Sequence, residues 1–466
     1  MKGMFRSLGL FNYRVWFIGA LISNIGAWMQ MTAQDWVVLT ELTDHDATAV
    51  GITMACQFGP PLILVGVSGW VADRFDRRKL LLITQSTLGV LSLIIGVLLL
   101  TGILTLPMML ILATLFGVTN AFDAPSRQAF VSDVVGRTQA SNAVALNSAS
   151  FNMARLIGPA AGSLLLIAIG SGWVFIINAA TFAAMLVALV AMRTDELQPR
   201  ARSKSGQGRI ADGLRYVRSR PDITVTFAMA FVMGAFGMNF PIFASTMALE
   251  FGRDADGYGL LSSSLAIGSL AGALLAARRD RARLRVAMLA AAGFGVMQFV
   301  AAATPAYLAY ALVCVGIGFC TVTMLTTANG YVQTTTDPAL RGRVLALYMA
   351  VMMGSTPIGA PIVGAVADLW GPRVALLVGG AAGILAAAVG LAWLLGSGRM
   401  HRNATSRFRV VVDETRPIDI ITQAIPQRPS TDDTLAQTTT AQPELKPRPE
   451  DYGGVSPDEE ISRKEE

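Results

Sequence analysis

Residues Gly69–Lys79 read GWVADRFDRRK and decide the fold of this chain. They form a short, strongly charged turn between two long apolar runs. A burst of charge between apolar segments marks a boundary between membrane and water, and an excess of Arg and Lys marks its cytoplasmic side. The stretch therefore predicts two membrane-spanning helices joined by a tight cytoplasmic loop.

The composition of the whole chain also predicts a membrane protein. Hydrophobic residues make up 53% and charged residues 15% of its 466 residues, whereas soluble domains contain about 25% charged residues. A helix needs about 20 apolar residues to cross roughly 30 Å of hydrocarbon. The part of the chain before residue 398 contains twelve such segments. The predicted spans are 14–40, 48–72, 79–102, 105–122, 139–169, 172–192, 223–249, 257–277, 284–303, 305–329, 341–368 and 373–397.

The charged turn resembles a motif of the major facilitator superfamily of transporters, in the loop between their second and third helices. The matching residues are Gly69, Asp73, Arg74, Arg77, Arg78 and Lys79, whereas Asp76 stands where the family usually has glycine. The resemblance implies an all-α polytopic membrane protein with twelve transmembrane helices in two pseudo-symmetric six-helix bundles. It also implies a conformational switch loop, in which Asp73 pairs across the two halves in the outward-open state. A positively charged flank without a switching role is the alternative.

The chain divides into two halves that echo each other. Val131–Asn147 aligns with Val332–Tyr348 in pattern and spacing, and Asp280-Arg281 is a degraded counterpart of Asp73-Arg74. Repeated helical bundles with a cavity between them are a transporter architecture. The segment from Gly398 onward is rich in Pro, Thr, Gln, Asp, Glu and Arg, and such a composition cannot bury a core. We predict an N-terminal bundle over 1–192, a cytoplasmic linker with a surface helix over 193–222, a C-terminal bundle over 223–397 and a disordered cytoplasmic tail over 398–466.

The distribution of charge over the loops predicts the orientation. With the amino terminus inside, the inside loops hold the basic turn and the basic stretch 193–220, whereas the outside loops hold Arg253 and Arg373 beside acidic residues. The positive-inside rule then places both termini in the cytoplasm. The net charge of +6 therefore faces anionic lipid and does not indicate nucleic-acid binding.

Three stretches resemble the enterobactin-exporter-like branch of bacterial drug and siderophore exporters within the superfamily. They are 11–43, 123–135 (DAPSRQAFVSDVV) and 152–162 (NMARLIGPAAG). The resemblance implies export of bulky amphipathic or aromatic compounds across the bacterial cytoplasmic membrane, usually driven by proton entry. We expect a monomer whose partners are such a compound, protons and membrane lipid, with no cofactor, metal or nucleic acid.

Asp35 and Arg155 are ionisable residues at membrane depth, where a charge costs at least about 3 kcal/mol. Asp35 lies on one helix face with Asn24, Trp28 and Met31. Lipid would reject the polar members of this face, so it is expected to look into the bundle or its cavity. A desolvated carboxyl there can take up and release a proton as access alternates. A solvated Asp35 at the membrane interface is the alternative.

Arg155 precedes a small-residue segment that resembles the exporter motif of the fifth helix. In this segment Gly158 and Gly162 permit close helix packing, and Pro159 permits a bend. The resemblance implies that helices five and eight approach and seal one side of the cavity. Arg155 keeps its proton, so it is expected to pair with a carboxylate, with Asp35 as a candidate, or to bind an anionic substrate group. Structural pairing without a transport role is the alternative.

Further candidates for the substrate cavity lie in the second half. Met233, Phe236 and Asn239 share a face of the seventh span, and Thr323 and Thr327 belong to a polar run in the tenth. Flexible Met beside aromatic rings suits a variable hydrophobic substrate. Such stripes also occur as plain core packing, and Thr often bonds its own helix backbone.

The fourth span lacks the arginine that many proton-coupled exporters of the superfamily carry there, which weakens a transfer of their proton relay. At its inner end, Asp123 and Arg127 are interpreted as a loop-fixing pair.

These observations predict a secondary active transporter, a proton-coupled exporter of amphipathic drugs, antibiotics or siderophores that works by alternating access. Import or facilitated diffusion of a small metabolite and a transport-inactive membrane sensor are the alternatives. An enzyme is not expected, because the histidines are only His45 and His401. The sequence also contains no HExxH, GxSxG or phosphate-binding Gly-rich Lys loop.

Overall fold

The computed structural model describes residues 6–136, 139–197, 210–279, 282–338, 340–397, 400–402 and 410–412. Helices make up nearly all of this part of the chain, since a helix satisfies its own backbone polar groups in lipid. The first half contains α1 (Phe11–Thr40), α2 (Ala47–Arg74), α3 (Arg77–Leu100), α4 (Leu106–Val135), α5 (Ala140–Ile169) and α6 (Ser171–Ala191). After α7 (Ile210–Ser219), the second half contains α8 (Pro221–Val232), α9 (Phe240–Glu250), α10 (Ala255–Ala277), α11 (Leu284–Ala303), α12 (Tyr307–Thr335), α13 (Arg341–Trp370) and α14 (Pro372–Gly396).

Eleven helical segments among the described residues are long and apolar enough to cross a membrane, with Pro221–Glu250 as one segment. Helix α1 is 30 residues long, but Gln30, Gln34 and Asp35 lower its hydropathy. These polar side chains are buried, because Gln30 and Gln34 contact other helices of the first half and Asp35 contacts α10 of the second half. With α1 as the twelfth span, the predicted polytopic all-α fold is confirmed.

The two halves repeat one pattern of helix packing. In the first half α2 packs on α4, α3 on α6 and α1 on α5. The corresponding pairs of the second half are α10 with α12, α11 with α14, and α8 with α13. The helices that join the halves are α2 with α13 and α5 with α10.

Two predicted ends were wrong, because α4 continues to Val135 and α12 to Thr335, not to 122 and 329. The polar residues after 122 face the inside of the bundle: Asp123 accepts hydrogen bonds from Thr84 Oγ1 and Gln85 Nε2, both at 2.7 Å. Arg127 Nε lies 3.2 Å from Asp123 Oδ2, one turn away in the same helix. The predicted loop-fixing pair is therefore a pair within a helix.

The predicted seventh span is broken into two helices. A π-helical turn at Met233–Gly237 follows α8, and the chain is not helical at Met238 and Asn239 before α9 begins. Pro241 contributes to the break because it has no N–H to continue the helical ladder.

A surface helix was predicted in the linker, and α7 occupies that position. It lies against α13, where Asp212 Oδ2 is 3.9 Å from Arg343 Nη1. Residues 198–209 and Asp280-Arg281 lie outside the described residues. So does the predicted disordered tail, except for antiparallel strands β1 (Met400–Arg402) and β2 (Val410–Val412), in which His401 faces Val411.

Candidate transport site

A cavity of about 280 Å³ lies between the two halves of the bundle. Helices α1, α2 and α5 of the first half contribute to its wall, as do α9, α10, α13 and the broken segment before α9 from the second half. Its wall is mostly apolar, with methionine, phenylalanine and proline side chains. Among its described lining residues, Asp35 carries the carboxylate and Arg155 the guanidinium.

Asp35 is held across the interface between the halves. Its side chain is buried at 3% exposure, and its Oδ2 accepts a hydrogen bond of 3.2 Å from the hydroxyl of Tyr258 on α10. The ring of Trp36 stacks on Tyr258, with the centroids 6.0 Å apart. A hydroxyl can donate or accept, so the carboxyl keeps this partner whether or not it carries a proton.

Arg155 lies in the same cavity but does not pair with Asp35. Its guanidinium lies over the ring of Trp28, 5.6 Å from the centroid. No carboxylate oxygen of the described residues lies within 4.0 Å of the Arg155 guanidinium. Trp28 and Asp35 are seven residues apart on α1, which corresponds to a rise of about 10 Å. The candidate ion pair between Arg155 and Asp35 is therefore not formed here.

The predicted stripe on α1 is divided between two environments. Trp28 and Met31 line the cavity together with Asp35. Asn24 lies one turn before Trp28 in the chain, and its Oδ1 accepts a hydrogen bond of 3.2 Å from Arg127 Nη1. Asn24 thus joins the polar network around α4 in the first half.

The small residues of the fifth-helix motif face two different neighbours. A Cβ on Gly162 would lie 2.8 Å from the carbonyl oxygen of Met29, and Gly158 faces Trp28, so these glycines permit close packing of α5 on α1. Pro159 and Ser163 instead face Gly259 of α10. The close approach between the halves therefore depends on Gly259 as well as on the motif.

Besides Asn24, the five predicted cavity residues of the second half lie outside this cavity. Met233 and Asn239 are fully buried, and Phe236 packs against the main hydrophobic core. Thr323 and Thr327 are buried at 3% and 5% exposure. The π-helical turn changes the register of the seventh span, so Gly234, Met238, Phe240 and Pro241 line the cavity instead.

Sequence reasoning missed several lining residues. Tyr258 and Ser262 lie one turn apart on α10, and Met54 and Phe58 one turn apart on α2. Their spacing of four residues was a usable signal, since it places each pair on one helix face. Unlike the face of α1 that carries Asp35, these faces have no charged residue in the cavity wall that would have marked them.

The predicted switch loop makes its contacts within the first half. Arg77 Nη1 donates to both oxygens of Asp133 on α4, at 2.8 and 3.0 Å. Arg78 Nε donates to the carbonyl of Leu189 at 2.8 Å. Asp73 is 73% exposed, and its carboxylate lies 3.6 Å from Arg77. The guanidinium of Arg74 lies over the ring of Trp70. Gly69 has open space around it. Within the described part of the chain, no ion pair joins this loop to the second half.

At the opposite end of the bundle, the halves are joined. The backbone N–H groups of Ala47 and Thr48 at the start of α2 each donate to the carboxylate of Asp368 on α13, both at 2.8 Å. Gly51 and Gly364 lie against the carbonyls of Ala360 and Ala47 at this contact. The cavity is therefore closed at the end where α2 begins.

Comparison with known proteins identifies transporters. A family model described as a transmembrane secretion effector matches residues 4–412. The multidrug efflux pump Tap of Mycolicibacterium fortuitum is 25% identical over 377 residues, covering 77% of this chain and 90% of the relative. The enterobactin exporter EntS of Escherichia coli O1:K1 / APEC is 25% identical over 373 residues, covering 77% of this chain and 86% of the relative.

A more local likeness is to the staphyloferrin A transporter of Staphylococcus aureus (strain NCTC 8325 / PS 47). It is 32% identical over 154 residues, which span 33% of this chain and 38% of that relative.

Solved structures share the fold at low identity. The nucleoside transporter NupG has a TM-score of 0.67 at 13% identity, covering 82% of this chain and 99% of its own. A D-xylose-proton symporter has a TM-score of 0.65 at 14% identity, covering 81% of this chain and 96% of its own. These likenesses bear on the fold alone.

Proposed function

This chain belongs to the transmembrane secretion effector family of the major facilitator superfamily, and we propose that it is a proton-coupled exporter of amphipathic compounds. The curated relatives named as a multidrug efflux pump and an enterobactin exporter support export. The observation that carries the proposal is the position of Asp35, a carboxyl in the cavity wall that is hydrogen-bonded to the opposite half.

The contact between Asp35 and Tyr258 connects proton binding to alternating access. The two side chains belong to different halves, so their hydrogen bond must break when the halves separate at this end. A charged carboxylate is costly to bury at membrane depth, so closing the bundle over Asp35 is easier once it carries a proton. In this mechanism Asp35 takes up a proton from outside and releases it to the cytoplasm after the closure.

The arrangement of the halves suits the loading of substrate from the cytoplasm. The positive charge of the loops favours an orientation with the Asp368 contact outside and the switch loop inside. The outer ends are joined through Asp368, and Asp73 at the inner end is exposed. We therefore assign this structure to an inward-facing state in a bacterial inner membrane, with both termini in the cytoplasm.

The cavity wall favours compounds with a large apolar part. Trp28, Met31 and Phe58 surround the space, and flexible methionine side chains adapt to substrates of different shape. Its volume of about 280 Å³ is close to the lower limit of small-molecule pockets, about 300 Å³. A compact aromatic compound fits this state, whereas a large siderophore requires a wider cavity.

Efflux from energised cells tests the proposal. Cells that lack their own efflux pumps are loaded with an amphipathic fluorescent dye, and retention is compared for the wild type, Asp35→Asn and Asp35→Glu. We expect efflux to stop with a protonophore or with Asp35→Asn, and to recover in part with Asp35→Glu. Asp44→Asn is the matched control, since Asp44 lies in an exposed outer turn.

If Asp35→Asn exported the dye at the wild-type rate, and this efflux were still sensitive to the protonophore, Asp35 would not take part in the coupling step. Protonophore-sensitive uptake of the dye would make the protein an importer.

A further inference from the structure

We propose that Arg155 binds an anionic group of the transported compound, so that the cavity selects amphiphiles carrying a carboxylate or a similar anion. This inference rests on the proposed function, because it takes the cavity as the substrate site.

Arg155 differs from three other partly buried arginines, which form ion pairs. Arg77, Arg127 and Arg220 have side chains 15%, 16% and 25% exposed, and each holds a carboxylate within 3.2 Å. Among the described residues, Arg155 has no such partner. Its charge is permanent, and a charge without a counter-ion is costly to keep away from water. A bound anion would supply the missing partner.

The other charged residue in the cavity wall does not fill this role. Asp35 accepts the hydrogen bond of Tyr258 and lies about two helical turns from Trp28, on which Arg155 rests. The face-on contact with Trp28 uses the positive charge of the guanidinium but none of its N–H donors. These donors can form the paired hydrogen bonds by which arginine recognises a planar carboxylate.

The surroundings of Arg155 also specify the rest of the ligand. The ring of Trp28 also contacts the ring of Phe151, one turn from Arg155 on α5, with the centroids 5.7 Å apart. Pro159 and Met31 line the same cavity. An anionic group at Arg155 would therefore have an apolar body packed beside it, which fits an aromatic acid better than a small hydrophilic anion.

Binding of a charge series to the purified full-length protein in detergent tests this assignment. The probes are 2-naphthoate, its neutral analogue 2-naphthamide and the cation 2-naphthylmethylammonium, each titrated by calorimetry. We expect naphthoate to bind the wild type at least about tenfold more tightly than the amide, since charge-assisted hydrogen bonds are roughly twice as strong as neutral ones. Arg155→Gln should abolish this preference without weakening the amide, and Arg155→Lys should keep part of it.

Arg253→Gln is the matched control, because Arg253 also lies over an aromatic ring, that of Tyr307 at 5.1 Å, but outside the cavity. It should retain the wild-type preference. The comparison of the three probes on the wild type needs no variant, so the test stands even if Arg155→Gln does not fold.

Three results would overturn the inference: equal binding of naphthoate and the amide, tighter binding of the cation, or no binding of any probe. A preference that persists in Arg155→Gln would also overturn it. Efflux of the same probes from energised cells separates the two proposals. Anion-selective binding without efflux would refute export alone, whereas proton-driven efflux without anion preference would refute the role of Arg155 alone.

Discussion

Tyr258 and Asp35 meet across the interface between the two halves, with the hydroxyl 3.2 Å from the carboxylate oxygen. They are 223 residues apart in the chain and are adjacent only because α10 packs on α5, which itself packs on α1. The contact places the acid of the cavity wall on the surface that must open. In the proposed mechanism, this contact connects the protonation of Asp35 to the position of the two halves.

Tyr258→Phe should weaken transport. The substitution removes the hydrogen-bond donor of a buried carboxyl, and an unsatisfied buried group costs about 1–3 kcal/mol. We expect the efflux rate to fall by about tenfold, since about 1.4 kcal/mol corresponds to a factor of ten. The measurement is initial efflux velocity at matched protein abundance.

Tyr348→Phe is the control for this experiment. Tyr348 is also buried, and its hydroxyl has no hydrogen-bond partner among the described residues. Equal effects of the two substitutions would show that Tyr258 contributes packing and not the hydrogen bond.

Asp368→Ala should shift the protein toward the outward-open state. Its carboxylate caps the start of α2 from the opposite half, and loss of a helix cap costs about 0.5–2 kcal/mol. Spin labels at residues 44 and 254, in exposed outer turns of the two halves, report the change as a larger population of long distances. Glu250→Gln is the control, since Glu250 pairs with Arg373 within the second half. An unchanged distance distribution in Asp368→Ala would show that the cap does not hold the outer ends together.

Asp73→Asn should lower the efflux rate without a large change in the melting temperature. Asp73 is 73% exposed here, and exposed ion pairs contribute about 0–1 kcal/mol, so the melting temperature should change little. Efflux should fall if Asp73 pairs with the second half in the outward-open state. Arg77→Gln should instead lower the melting temperature as well, because it breaks the pair with Asp133. Wild-type efflux by Asp73→Asn would favour a positively charged flank without a switching role.

Gly259→Ala should obstruct the packing of α10 on α5. The added Cβ would meet the side chain of Ser163, and crowding at a close contact typically costs about 1–3 kcal/mol. We expect a lower melting temperature and slower efflux. Ser163→Gly in the same chain should restore both, because it removes the atoms that meet the new methyl group. A double variant as defective as Gly259→Ala would place the obstruction elsewhere.

Hydropathy was sufficient to predict the spans, because the transfer of a segment into hydrocarbon depends on that segment alone. The prediction was wrong where a helix continues on polar residues that face inward. Asp123 and Arg127 suggested the end of the fourth span, but Thr84, Gln85 and Asn24 bind them inside the first half. The π-helical turn at Met233–Gly237 was also missed, and it moved the predicted face of the seventh span away from the cavity.

The candidate site was partly predictable. Asp35 and Arg155 stood out because charge at membrane depth is rare, and both line the cavity with Trp28 and Met31. Tyr258 carried no comparable signal, since a tyrosine near the end of an apolar span is a common interfacial anchor.

By itself, the sequence determined the membrane class, the number of spans and the repeat of the two halves. These features follow from the local hydropathy and spacing of residues along the chain. Only the tertiary structure decided which side chains share the cavity and which are paired. It placed Tyr258 on Asp35, Asp368 on α2 and no carboxylate of the described chain on Arg155, because these relationships depend on how helices distant in sequence are rotated and packed against one another.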